Sequence, residues 1–82
     1  EYVSGMALRE FLRLDDTAFR ELFRKSPVKR IKRPRFLRNV CVALGNVGDD
    51  GDLPDLERAA ADPDPLIAEH ASWAIQEIAR RR

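Results

Sequence analysis

Two stretches of this chain carry the same apolar pattern, and a shift of 31 residues superimposes them. Each begins at a proline, Pro34 or Pro65, and each then places apolar residues at i, i+4, i+7, i+8 and i+11. The superimposed pairs are Phe36 with Ile67, Val40 with Ala71, Ala43 with Ala74, Leu44 with Ile75, and Val47 with Ile78. That spacing follows one face of an α-helix. A helical unit that repeats at this length predicts an α-solenoid, in which neighbouring units cover each other's apolar faces.

The N-terminal part of the chain predicts two short helices. Residues 6–14 hold an apolar segment that we expect to be helical and to end before Asp15. Asp15 or Asp16 can cap the next helix, because a short acceptor side chain satisfies the free N–H groups there. Residues 18–23 supply the apolar stripe of that helix. Pro27 ends it, since the residue before a proline avoids the α region.

A basic connector over residues 28–33 leads into the first helix of the repeat. Pro34 suits the first turn of this helix, which is expected to run to about residue 47. Gly45 and Asn46 are expected to supply its C-terminal turn, because both tolerate left-handed backbone conformations.

Turn signals divide the rest of the chain into two further helices. The acids between residues 49 and 64 are expected mostly in turns and caps, with Asp52 capping a short helix over residues 53–61. Residues 62–65 read Asp-Pro-Asp-Pro, which indicates a turn and a cap before the last helix, over residues 65–79.

Positive charge is concentrated in one part of the chain. Eight of the fifteen Lys and Arg residues lie within residues 24–38, where there is no acid, whereas residues 39–79 carry a net charge of −8. Such a concentration favours a surface that binds a polyanion, because affinity for phosphates rises with the number of cations that meet them. The alternative is a solvated face, on which Arg35 and Arg38 pair with acids such as Asp49 or Glu69.

One face of the first repeat helix combines cations with amides. Arg35, Arg38, Asn39, Val42 and Asn46 lie roughly opposite its apolar stripe. Arginine pairs bidentately with phosphate and stacks on bases, and asparagine can hydrogen-bond to base edges or sugar hydroxyls. Protein groups are an equally suitable partner for the mid-helix amide of Asn39.

The chain carries few residues suited to catalysis or metal binding. Its single cysteine, Cys41, and single histidine, His70, cannot form a zinc site or a Cys–His nucleophile unit on their own. We expect Cys41 to be a buried structural thiol and His70 to be half-exposed. Trp73 is expected to pack under an adjacent helix rather than to stack on a base. No catalytic residue is therefore assigned. The sequence begins with Glu1 instead of Met, which suggests a piece of a longer protein.

Most of the chain resembles the C-terminal helical-repeat region of tRNA epoxyqueuosine reductases. The resemblance is carried by SPVKRIKRPRFLRNVCVALGN over residues 26–46, by DLPDLERAAADPDPLIAEHASWAI over residues 52–75, and by the preceding FLRLDDTAFRELFRKSPVKR. It implies an all-α, HEAT-like α–α superhelix of about five helices. Residues 1–27 would form an N-terminal helical cap or linker, and residues 28–82 the HEAT-like repeat.

The resemblance also implies a function. Proteins of this family reduce the epoxide of epoxyqueuosine at the wobble position of tRNA, using cobalamin and two [4Fe–4S] clusters. No cysteine motif for such clusters is present in these 82 residues, so we expect no cofactor site here. The resemblance places Ser26, Lys29, Arg30, Arg38 and Asn39 at the RNA or at a domain interface, whereas Lys32 and Pro34 differ from the family pattern. Together with the basic run, this gives the expected nucleic-acid-binding residues Ser26, Lys29, Arg30, Lys32, Arg33, Arg35, Arg38 and Asn39.

The expected partners are a tRNA anticodon stem-loop and the catalytic core of the same parent chain, in a cytoplasmic and monomeric protein. One alternative is a generic HEAT-type module that binds another protein through its basic face. A second alternative is a module for anionic membrane surfaces, which is disfavoured because the basic connector lacks a matching apolar face. Salt-sensitive binding to tRNA distinguishes the first function from the others.

Overall fold

The order of helices follows the turn signals in the sequence. A computed structural model describes residues 7–26 and 31–81, and in these residues the chain is helical with no β-strand. The prediction of an all-α fold is confirmed. The elements are a 3-10 helix Leu8–Arg13, α1 Asp16–Leu22, α2 Arg33–Val47, a 3-10 turn Asp50–Asp52, α3 Leu53–Ala60 and α4 Pro65–Arg80.

Side-chain caps begin two of the α-helices as expected. The Asp15 carboxylate accepts a hydrogen bond from the backbone N–H of Ala18 at 2.8 Å, and Asp64 accepts one from Leu66 at 2.9 Å. Asp52 occupies the expected N-cap position of α3, but its side chain does not cap the helix. Its carboxylate is engaged by the backbone N–H of Asp49 and by the guanidinium of Arg9.

The core forms where α2 and α4 pack along each other, with α3 against α4 and the N-terminal 3-10 helix against α2 and α3. Four phenylalanines meet on one side of this core, with ring centroids between 5.0 and 6.1 Å apart: Phe11, Phe19, Phe23 and Phe36. N-terminal residues thus share a core with the repeat helices. The expected domain boundary between residues 27 and 28 lies outside the described residues and stays a prediction.

The buried faces of α2 and α4 correspond in a register that differs by one residue from the expected one. Leu37, Cys41 and Leu44 are buried in α2, and a shift of 30 residues places them on the buried residues of α4, Ile67, Ala71 and Ala74. The 31-residue shift paired Val47 with Ile78, yet Val47 is 78% exposed and Ile78 is 3% exposed. α2 contacts both α4 and the N-terminal 3-10 helix, so its buried surface is centred one residue later than the apolar pattern indicates.

The C-terminal end of α2 is held by side chains from α4 and its cap. The expectation that Gly45 and Asn46 form a left-handed turn is wrong, because the helix continues to Val47 and ends at Gly48 in extended backbone. Gly45 is needed for another reason, since a Cβ atom there would lie 2.3 Å from Cζ3 of Trp73. The guanidinium of Arg81 donates to the carbonyl oxygens of Gly45 and Gly48, which supplies partners that a helix end otherwise lacks.

Cys41 is fully buried between the helices, as expected for a structural thiol. Burial raises its pKa to about 11, because the thiolate is disfavoured away from water. The thiol is therefore protonated at neutral pH and acts as a small apolar group.

Candidate nucleic-acid interface

The cations that the sequence places together divide into two groups in the structure. Lys32 precedes α2 and Arg35 lies in its first turn, and both side chains are exposed. Neither forms an ion pair with an acid in the described ranges. Ser26, at the end of the turn after α1, is half-buried. Lys29 and Arg30 lie outside the described residues, so their expected role stays a prediction.

Arg33 has a structural role that the sequence analysis did not anticipate. Its guanidinium donates to the Asp62 carboxylate at 2.8 Å and to the carbonyl oxygen of Leu14 at 2.6 Å. The side chains of Arg33 and Asp62 are only 16% and 13% exposed. This arginine therefore links the start of α2 to the turn before α4 and to the N-terminal segment, and its charge is largely neutralised locally.

Arg38 and Asn39 form a unit on the outer face of α2. The Nε–H of Arg38 donates to Oδ1 of Asn39 at 2.9 Å. A guanidinium has five N–H donors, so this contact fixes its direction and leaves the terminal nitrogens available. The solvated-face alternative expected Arg35 and Arg38 to pair with acids such as Asp49 or Glu69. Neither forms an ion pair in the described residues.

A groove of about 660 Å³ lies between α1 and the start of α2. Its lining includes Arg20 and Arg24, from α1 and its following turn, Lys32 from the segment before α2, and the buried Phe19. The only acid that pairs with these three cations in the described part is Glu21, 3.4 Å from Arg24, and both of those side chains are well exposed. Exposed pairs of this kind contribute little, so Arg20, Arg24 and Lys32 keep most of their charge toward solvent, although the acids Asp16 and Glu21 also line the groove.

Sequence reasoning missed Arg20, which lies before the basic run. A signal was present, because Arg20 and Arg24 are four residues apart and therefore adjacent on a helical surface. We refer to the exposed cations Arg20, Arg24, Lys32 and Arg35, together with the half-buried Arg38, as the cationic edge.

A second, more apolar groove adjoins the cationic edge. It is lined by Val42 of α2 and by Glu69, His70 and Trp73 of α4. His70 is half-buried, and its Nδ1 lies 2.8 Å from the carbonyl oxygen of Leu66. Trp73 packs against Gly45 of α2, which agrees with its expected contact with a neighbouring helix, but 36% of the residue remains exposed.

The described residues offer no other constellation for chemistry. Within residues 7–26 and 31–81 there is no group of three or more His, Cys, Asp or Glu side chains arranged to hold a metal ion. None of the helices described is long and apolar enough to cross a membrane. The arrangement is that of a small all-α domain with a cationic edge.

Sequence comparisons connect this domain to one group of enzymes. The chain is 33% identical over 81 residues to an epoxyqueuosine reductase of Alicycliphilus denitrificans and 36% identical over 75 residues to one of Escherichia coli. A protein of the same name from Shewanella oneidensis is 36% identical over 63 residues. The alignments cover 89%, 90% and 73% of this chain but only 22%, 20% and 16% of those proteins. The chain thus spans about a fifth of the length of these curated relatives. No family profile and no solved structure matches it significantly.

Proposed function

We propose that this chain is the tRNA-docking, HEAT-like helical-repeat domain of an epoxyqueuosine reductase, which forms queuosine at the wobble position of tRNA. Similarity to proteins of that name over most of the chain supports the parent activity. The observation that carries the docking role is the cationic edge, whose cations lack buried acid partners in the described part of the chain.

The geometry of the edge suits a phosphate backbone. Arg35 and Arg38 are three residues apart on α2, so they project on the same side about 4.5 Å apart along the axis. The N-terminus of α2 adds a partial positive charge close to Lys32 and Arg35. Because each phosphate contact releases condensed counterions, an edge of this kind binds RNA with an affinity that falls steeply with salt.

The reduction itself is assigned to other parts of the parent protein. The [4Fe–4S] clusters expected of such a reductase have no fitting ligand set here, since the only cysteine is buried and a cluster needs several thiolates. In this proposal the domain works in the cytoplasm, holds the anticodon stem-loop and contacts the catalytic core of the same chain.

The test is binding of a labelled anticodon stem-loop RNA, followed by fluorescence anisotropy between 50 and 200 mM salt, conditions over which such contacts weaken strongly. Arg35→Glu with Arg38→Glu is expected to weaken binding at least tenfold and to reduce the salt slope by about 2, one per lost phosphate contact. The matched control is Arg58→Glu with Arg80→Glu, which makes the same charge change at exposed positions of α3 and α4. Equal loss in both variants, or binding that survives the first, would contradict a docking role for the edge.

A further inference from the structure

The groove lined by Val42, Glu69, His70 and Trp73 has a composition that suits a nucleobase better than a phosphate group. Its walls are the aliphatic side chain of Val42 and the indole of Trp73, and its polar groups are Glu69 and His70. A carboxylate in the groove repels phosphate. Flat apolar walls with acceptor groups suit the face and the amino edge of a nucleobase.

The indole ring of Trp73 contacts α2 at one edge and remains partly exposed to solvent. The edge of its six-membered ring rests on Gly45, where no side chain intervenes. A second depression is lined by Ala68, Ser72 and Gln76 and shares Glu69 and Trp73 with the first groove. Trp73 therefore lines both depressions, contacts Gly45 at one edge of its ring and is 36% exposed. Aromatic groups held in this way provide stacking surfaces for unpaired bases.

The hydrogen bond of His70 to the backbone determines which of its two ring nitrogens can act as an acceptor. A backbone carbonyl can only accept, so the contact between Nδ1 and the Leu66 oxygen requires the proton to be on Nδ1. In the neutral imidazole, Nε2 is then the acceptor, and it has no partner in the described residues. Nε2 and the Glu69 carboxylate are thus both acceptors among the residues that line the groove, an acceptor pair that favours bases with an exocyclic amino donor.

The base groove includes a residue of α2 that lies one helical turn from the Arg38–Asn39 unit. Val42 lies four residues after Arg38 and three after Asn39, which places the groove one helical turn beyond the Arg38–Asn39 unit. A nucleotide whose phosphate contacts Arg38 therefore has its base within reach of Trp73.

We propose that the groove formed by Val42, Glu69, His70 and Trp73 binds one unpaired, amino-bearing base of the docked RNA, stacked on Trp73. This rests on the proposed function, because the phosphate backbone must first be held by the cationic edge. Adenine, cytosine and guanine fit the acceptor pair, whereas uracil places carbonyl oxygens against it and is expected to bind most weakly.

Trp73 is the only tryptophan of the chain, so its fluorescence reports the site directly. Excitation at 295 nm is used while short single-stranded oligoadenylate is added at pH 8, with oligouridylate, an abasic oligomer of equal length and duplex RNA in parallel. Saturable quenching by oligoadenylate, weaker quenching by oligouridylate and none by the abasic oligomer is the expected result. Quenching of the same size with the abasic oligomer would overturn the proposal.

Variants separate this site from the cationic edge. Trp73→Leu is expected to weaken binding of oligoadenylate about tenfold, in line with the loss of one stacked base, while affinity for duplex RNA changes less than twofold. Val47→Ala, at an exposed apolar position that does not line the groove, is the control and should bind normally. RNA binding with no change in Trp73 fluorescence would overturn the base site alone. If no RNA binds, both the base site and the proposed RNA-docking function are overturned. The groove would then be interpreted as a binding site for a protein segment.

Discussion

The arginines of the N-terminal 3-10 helix and those at the start of α2 are the same residue type in opposite situations. Arg13 donates twice to the Asp55 carboxylate, at 2.9 and 3.1 Å, and Arg9 donates to Asp52 at 3.2 Å. Both acids are almost fully buried, at 5% and 7% exposure. Arg35, by contrast, is exposed and forms no ion pair with any acid in the described ranges.

Fold geometry separates these two groups, since their local sequences do not. The N-terminal 3-10 helix lies across α3, so its arginines meet the acids at the start of that helix. Arg35 and Arg38, on the outer face of α2, form no ion pair in the described ranges and therefore keep their charge for a partner. Charges that are neutralised at short range stabilise the fold, and charges that are not give the molecule its external field. Three comparisons of variants test this division.

The largest effect is expected at the pair that links the two groups, Arg33 and Asp62. Asp62→Ala leaves the guanidinium of Arg33 mostly buried without a counter-charge and should lower the free energy of unfolding by about 3 kcal/mol. Chemical denaturation of the variant and the parent chain measures this difference in free energy. Glu57→Ala, an exposed acid on α3, is the control and should change the value by less than about 0.5 kcal/mol.

The double variant Arg33→Met with Asp62→Leu sharpens this test. Apolar replacement of both partners removes the unpaired charge and should recover more than half of the lost stability, because a buried ion pair contributes little beyond mutual neutralisation. If stability does not recover, the loss comes instead from other hydrogen bonds. These are the bond from Arg33 to the carbonyl oxygen of Leu14 and the bond that Asp62 accepts from the backbone N–H of Asp64.

A smaller effect with a defined pH dependence is expected at Asp55. The hydrogen bonds and charge of Arg13 hold the pKa of this carboxyl below its usual range. Its contribution is therefore fully present above about pH 4, where the carboxyl of the unfolded chain is ionised, and is lost as pH falls through the lower pKa of the folded state.

Asp55→Asn should cost about 1 kcal/mol at pH 7, a modest value because the Arg13 side chain is 52% exposed and solvent screens the pair. The difference in unfolding free energy between the parent chain and this variant should shrink as the pH falls below 4. A difference that stays constant with pH would contradict the role of the ionised carboxylate. Glu57→Gln, on the same helix, is expected to show neither the loss nor the pH dependence.

Helix positions were predictable because their signals are local. Proline in first turns and the Asp15 and Asp64 caps lie next to the elements they begin, and α2 and α4 end within a residue of the predicted bounds. The apolar pattern also predicted burial along α4. It misplaced Val47 because the face that α2 buries depends on the N-terminal 3-10 helix, which packs against it from a distant part of the sequence.

The candidate site was predicted less completely, for the same reason. Whether an arginine is paired depends on acids about 30 to 40 residues away, as for Arg33 with Asp62 and Arg13 with Asp55. A run of like charge identifies a region but not which members of it are free. The groove beside Trp73 likewise depends on the approach of α4 to Gly45, which no local pattern encodes.

The smallest stability effect, and the sharpest contrast, is expected from Arg35→Gln compared with Arg9→Gln. Arg35 has no acid partner in the part of the chain that is described, so its loss should leave the unfolding free energy within about 0.5 kcal/mol of the parent and weaken RNA binding about threefold. Arg9 contacts Asp52, whose side chain is 10% exposed, so its loss should cost about 1 kcal/mol and leave RNA affinity unchanged. Denaturation and RNA titration of both variants measure the two effects. The same ranking in both assays would mean that the two sets of arginines do not differ in role, because each variant removes one positive charge and only its position in the fold distinguishes it.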